Sequence, residues 1–100
     1  MTGWQLDLLG GFALRSPEGA AVAFSTRKDR LLLAYLALQG GRPQSRAKLS
    51  DLLWADRADA QARGSLRQSL VNLRGILGDQ ILQSNRETVT VDASLLTTDA

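Results

Sequence analysis

Apolar residues recur with two different periods along this chain, and the changes of period divide it into elements. Trp4, Leu6 and Leu8, then Phe12 and Leu14, then Val22 and Phe24 alternate with smaller or polar residues. Period two is the signature of strands with one buried face. Gly10-Gly11 and Pro17-Glu18-Gly19 separate the three pieces and supply turn chemistry. The spacing therefore predicts an antiparallel meander. After it the period lengthens. Thr26-Arg27-Lys28-Asp29 has the form of a capping box, in which the Thr26 hydroxyl and the Asp29 carboxylate satisfy free amides at a helix start. The helix that follows, about residues 27–39, is apolar nearly all round and is expected at the centre of the core. Gly40-Gly41 ends it.

Ser45 is placed to cap a shorter helix, in which Leu49, Leu52 and Leu53 take the i, i+3, i+4 positions and Trp54 stands at the end. A polar loop, Ala55 to Asp59, leads to a third helix with Asp59 as its expected N-cap and Gly78 as its terminator. Ile81-Leu82 and Thr88–Val91 then read as two strands of a hairpin, joined through Ser84-Asn85-Arg86-Glu87. Nothing repeats, and no segment is of low complexity.

The third helix carries the most information. Wound at 100° per residue, it places Leu66, Leu70, Leu73 and Leu77 in one narrow apolar stripe. Arg63, Arg67 and Arg74 form a second stripe on its flank. The opposite face carries Gln61, Ser65, Gln68 and Asn72, all neutral hydrogen-bonding side chains. From Ala60 to Gly78 there is no acidic residue. Such a helix can bury one side, hold a polyanion with its shoulder and read hydrogen-bond patterns with the rest, as a recognition helix does in a major groove. An amphipathic helix with merely solvated arginines has the same residues, so its surroundings must decide.

Composition narrows the classes. One hundred residues suffice for one domain with a single core, and 44% apolar with 22% charged is an ordinary globular balance. No cysteine occurs, so disulfides and thiolate metal sites are excluded. No apolar run approaches the roughly 18 residues of a membrane span, and residues 1–11 lack the basic opening of a signal peptide. Without histidine, a Gly-rich phosphate loop or paired carboxylates in apolar surroundings, enzymatic chemistry is not expected, nor is a cofactor, a metal or a small-molecule substrate. Net charge is only +2, but with just Lys28 and Lys48 as lysines, ten of the 12 basic residues are arginine. Arginine suits bidentate phosphate and guanine contacts. The positive charge is concentrated around residues 57–74 and at Arg86.

Strands, three helices and a hairpin, in that order, make an α+β winged helix-turn-helix with the hairpin as wing. The chain resembles the OmpR/PhoB-type winged-helix domain, and most closely the version that opens the SARP-like (antibiotic regulatory protein) transcriptional activators. The resemblance rests on Leu9-Gly10 with Phe12, Arg27-Lys28 followed by Arg30-Leu31-Leu32, Arg46 with Leu49, and Leu53-Trp54. It continues through Ala62-Arg63, Ser65-Leu66-Arg67, Leu73-Arg74, Leu77-Gly78-Asp79 and Val89 with Val91-Asp92, so that it covers residues 4–92. It implies an N-terminal four-stranded sheet, a three-helix core and a C-terminal hairpin. It also implies sequence-specific binding of double-stranded DNA in bacterial transcription regulation, in the cytoplasm at the nucleoid. The domain is then residues 1–92, and residues 93–100 open a linker to a C-terminal effector domain. Gly64, Val71-Asn72 and Gly75 depart from the family pattern and make the reading face less basic than in its relatives.

Under this reading Arg63, Arg67 and Arg74 are candidates for phosphate contact, Ser65 is a further DNA-binding candidate on the neutral face, and Gln68 and Asn72 suit adenine. Arg86 at the hairpin tip suits the adjacent minor groove. The expected DNA target is a pair of tandem half-sites, with self-association on DNA and contact with RNA polymerase as further partners. The competing reading is a winged helix that docks polymerase or another regulator domain without reading DNA. The aromatic residues Trp4, Phe12, Phe24, Tyr35 and Trp54 fall in phase with the apolar positions and are expected in the core rather than as base-stacking platforms.

Overall fold

Short strands flank a block of three helices. The computed structural model describes residues 3–9 and 12–99. Strand β1 (Trp4–Asp7) pairs antiparallel with β2 (Ala13–Arg15), which pairs antiparallel with β3 (Ala21–Val22). This is the expected meander; the Gly10-Gly11 turn lies outside the described residues. Leu6 and Leu14 face each other across the first pair and are both fully buried, as the alternation requires.

Helix α1 (Arg27–Leu38) begins at Thr26, whose hydroxyl accepts from the Asp29 backbone N–H at 3.1 Å. Only half of the capping box forms: the Asp29 carboxylate turns away from the helix start and into the core, towards Ser69 and Asn72. Nor is α1 apolar on all sides in use. Leu32, Leu33 and Leu36 are buried, whereas Leu31 and Leu38 are exposed, because the helix lies against the core along one stripe. Gly40 and Gly41 follow with positive φ, the left-handed conformation that ends a helix at least cost in glycine.

Helix α2 (Arg46–Leu53) is capped by the Ser45 hydroxyl, which accepts from the Lys48 N–H at 3.2 Å. Leu49 is buried and Leu53 half-buried, but Leu52 is exposed, so the apolar contact is narrower than its spacing suggested. Helix α3 (Asp59–Leu77) is the longest element. Its N-cap is Ala58, with no side-chain cap bond, and Asp59 is the first helical residue. Asp59 thus adds negative charge to the first turn, where it favours the helix dipole, instead of capping. Ala62, Leu66, Leu70, Leu73 and Leu77 are buried as one stripe against α1 and α2.

The hairpin consists of β5 (Leu82–Ser84) and β6 (Thr88–Val91). Two pairings exceed the expectation. A two-residue strand β4 (Gln44–Ser45), just before α2, pairs antiparallel with β6, giving a three-stranded sheet ordered β4-β6-β5. Strand β7 (Leu96–Thr98) lies in the stretch read as the opening of a linker; it pairs in parallel with β1 and buries Leu96. The four-stranded sheet is therefore ordered β3-β2-β1-β7, its fourth strand supplied from the far end of the described chain. The fold is an α+β winged helix-turn-helix: an N-terminal sheet, a three-helix core and a C-terminal hairpin wing.

Candidate nucleic-acid interface

Burial of the leucine stripe fixes the outward face of α3. The residues it exposes are Asp59, Ala60, Gln61, Arg63, Arg67, Gln68, Val71 and Gly75, with Gly64 partly covered among them. No other atom comes within 4 Å of the position a Cβ would take at Gly64 or Gly75, so the backbone is bare at both points.

The wing is anchored beside this face. The Arg46 backbone N–H donates to the Glu87 carbonyl at 2.8 Å, and the Arg46 guanidinium donates to the Asn85 carbonyl at 3.1 Å. Within the turn, the Asn85 side-chain oxygen accepts from the backbone N–H groups of Glu87 and Thr88, each at 2.8 Å. The tip is thus rigidly built and pinned to the first turn of α2. As a result Arg46, Arg63, Arg67 and Arg86 line one cleft of about 420 Å³ between α2, α3 and the wing, with Ser45, Ser50, Leu66 and Glu87. Ser50, which lines this cleft, is 3% exposed, and its buried hydroxyl has no hydrogen-bond partner among the described residues. A buried hydroxyl without a partner is uncommon and costly. Converging arginine guanidinium groups make a site suited to a phosphate oxyanion.

The remaining predicted residues are already engaged. Arg74, half-buried, donates to the Ser84 hydroxyl at 2.6 Å and pairs through Nε with Asp79 at 3.2 Å. It braces α3 against β5. Ser65 is half-buried and accepts from the Arg57 guanidinium at 2.7 Å. Asn72 does not stand on the outward face with Gln68. It is turned towards α1, donating to the Asp29 carboxylate at 3.0 Å and accepting from the Gln68 amide at 3.0 Å. Gln68 is exposed. Arg63, Arg67 and Arg86 are therefore brought together, Gln68 lies beside them, and Ser65, Arg74 and Asn72 serve internal contacts.

Sequence reasoning missed Arg46 and Ser50 as lining of this cleft, and Asp29 as the buried partner of α3. Arg46 stood out only as a helix-two residue. Ser50 and Asp29 owe their significance to contacts across elements, and nothing local signals those. The aromatic expectation holds: Trp54 is buried, and Trp4, Phe12, Phe24 and Tyr35 pack half-buried against the core. Among the described residues no helix is long and apolar enough to cross a membrane, and no three His, Cys, Asp or Glu side chains cluster as metal ligands would.

Comparison with solved structures shows a likeness. The structure of Mycobacterium tuberculosis EmbR in complex with a low-affinity phosphopeptide superposes with a TM-score of 0.77, at 24% sequence identity, over 96% of this chain. The likeness is one of fold. The chain corresponds to 27% of the length of EmbR. No family model matches the sequence, and no curated protein matches it.

Proposed function

We propose that this domain binds double-stranded DNA sequence-specifically in bacterial transcription regulation, with α3 in the major groove and the wing along the adjacent minor groove. The observation that carries the reading is the convergence of Arg63, Arg67 and Arg86 on one cleft beside the outward face of α3, which has no acidic residue beyond Asp59 in its first turn. Two elements distant in sequence present the same charge to the same place, which solvated surface arginines have no reason to do. The winged-helix fold and the sequence resemblance to OmpR/PhoB-type, SARP-like activators point the same way.

In this account Arg63, Arg67 and Arg86 meet backbone phosphates. Gln68 faces base edges. Arg74 keeps its bond to Ser84 and its pair with Asp79, and supports the wing instead of meeting DNA in the first instance. One small module buries roughly 600–1,000 Å² on DNA, so the isolated domain binds weakly and gains from two half-sites about one helical turn apart. The protein acts in the cytoplasm at the nucleoid, as a regulator and not as an enzyme.

Selection from a pool of random duplexes tests this. The expected product is a repeated short motif that outcompetes random DNA. If no sequence outcompetes random DNA at any salt concentration, the specific regulator is excluded, and the winged helix as a protein-docking module takes its place.

A further inference from the structure

Asp29 sits in the first turn of α1, 1% exposed, with its carboxylate directed at α3. One oxygen accepts from the Ser69 hydroxyl and the other from the Asn72 side-chain nitrogen. Carboxylate oxygens accept, so Asn72 must present its NH2 group inwards. Its oxygen then faces Gln68 and accepts from the Gln68 nitrogen at 3.0 Å. Each amide has one donating and one accepting end, so the polarity chosen at the buried carboxylate is passed outwards to Gln68. There the second N–H and the oxygen remain free, a donor and an acceptor side by side. That pair matches N7 and the N6 amino group of adenine. Guanine offers two acceptors on the same edge, and a Gln68 whose orientation is fixed meets one of them with its own oxygen.

We infer that Asp29 is a positioning residue for base recognition: through Asn72 it fixes the amide orientation of Gln68 and so makes the helix select adenine over guanine. This inference rests on the DNA-binding reading above and deepens it. Asp29 touches no base. It acts as the buried end of a relay that gives an otherwise freely rotating side chain one donor–acceptor pattern. Asn72, with both amide ends engaged, transmits that pattern instead of reading bases independently.

The test uses the selected duplex and variants in which each A·T pair is replaced in turn by G·C. Loss of sensitivity in Gln68→Ala identifies the pair that Gln68 reads. At that pair, Asp29→Asn should lower the preference for adenine over guanine by roughly tenfold, because asparagine can present either a donor or an acceptor to Asn72 and the relay can invert. Affinity for random DNA and its salt dependence should not change. Asn72→Ala breaks the relay outside the core, so it should reproduce the loss even if Asp29→Asn fails to fold. Ser69→Ala removes the other hydrogen bond to the same carboxylate; it should lower thermal stability and leave the adenine preference intact. A preference kept in both relay variants overturns the inference, and so does an equal loss in Ser69→Ala, which would signify general loosening of α3. If the wild type itself shows no sequence preference, the DNA-binding reading fails, a result distinct from either.

Discussion

The side-chain oxygen of Asp92 accepts from the Ser94 hydroxyl at 2.6 Å and from the Ser94 backbone N–H at 2.9 Å. The hydroxyl contributes most, and together the two bonds hold the carboxyl below its ordinary value of 3.8. A carboxylate with a depressed folded pKa stabilises the fold above its unfolded pKa, and that contribution is lost as pH falls through the folded one. Asp92→Asn should therefore have a lower melting temperature than the wild type at pH 6, with the gap closing as the pH falls below 3.8. A gap that is constant with pH would mean that the charge of Asp92 plays no part. At this scale the sequence was a partial guide. Leu66, Leu70 and Leu73 could be placed because period alone decides burial. Asp29 could not: its local context is a helix start, and its partners lie 40 and 43 residues away.

At the scale of the element, α3 carries a glycine in its last turn, Gly75, that is exposed and without a neighbour within 4 Å of its Cβ position. Nothing in the fold uses its missing side chain, while glycine inside a helix costs roughly 0.5–1 kcal/mol relative to alanine. Gly75→Ala should raise the denaturant midpoint by a corresponding amount without changing its slope. A loss of stability would show that the helix needs the glycine for a bend or a contact that the present geometry lacks. Helices were the most legible elements, because Thr26, Ser45 and Gly78 mark their ends by local chemistry. The short strands were not. β4 has two residues and exists only because β6 lies beside it. β7 buries Leu96 alone among polar neighbours, which reads as linker until β1 supplies its hydrogen-bond partners.

For the whole molecule, what matters is where the folded chain gathers its arginines. A net charge of +2 is unremarkable, and the sequence locates its positive charge only as a stretch around residues 57–74 with Arg86 apart. Folding pins the wing tip to α2 through Arg46 and so carries Arg86 to the cleft lined by Arg63 and Arg67. Helical period supplied the candidate residues of α3, and the resemblance to SARP-like domains supplied their expected ligand. The hydrogen-bonded geometry divides them, since Arg63, Arg67 and Arg86 remain available to a ligand while Ser65, Arg74 and Asn72 already hold internal partners.

The most direct test of this account is the dependence of DNA affinity on salt concentration, for the wild type and for Arg63→Ala, Arg67→Ala and Arg86→Ala. Each phosphate neutralised releases counterions worth about 0.9 in the slope of log K against log salt. Each variant should therefore lower the steepness by about one, on the selected site and on random DNA alike. Binding that is indifferent to salt, or three variants with the wild-type slope, would contradict a phosphate-binding cleft and with it the proposed function.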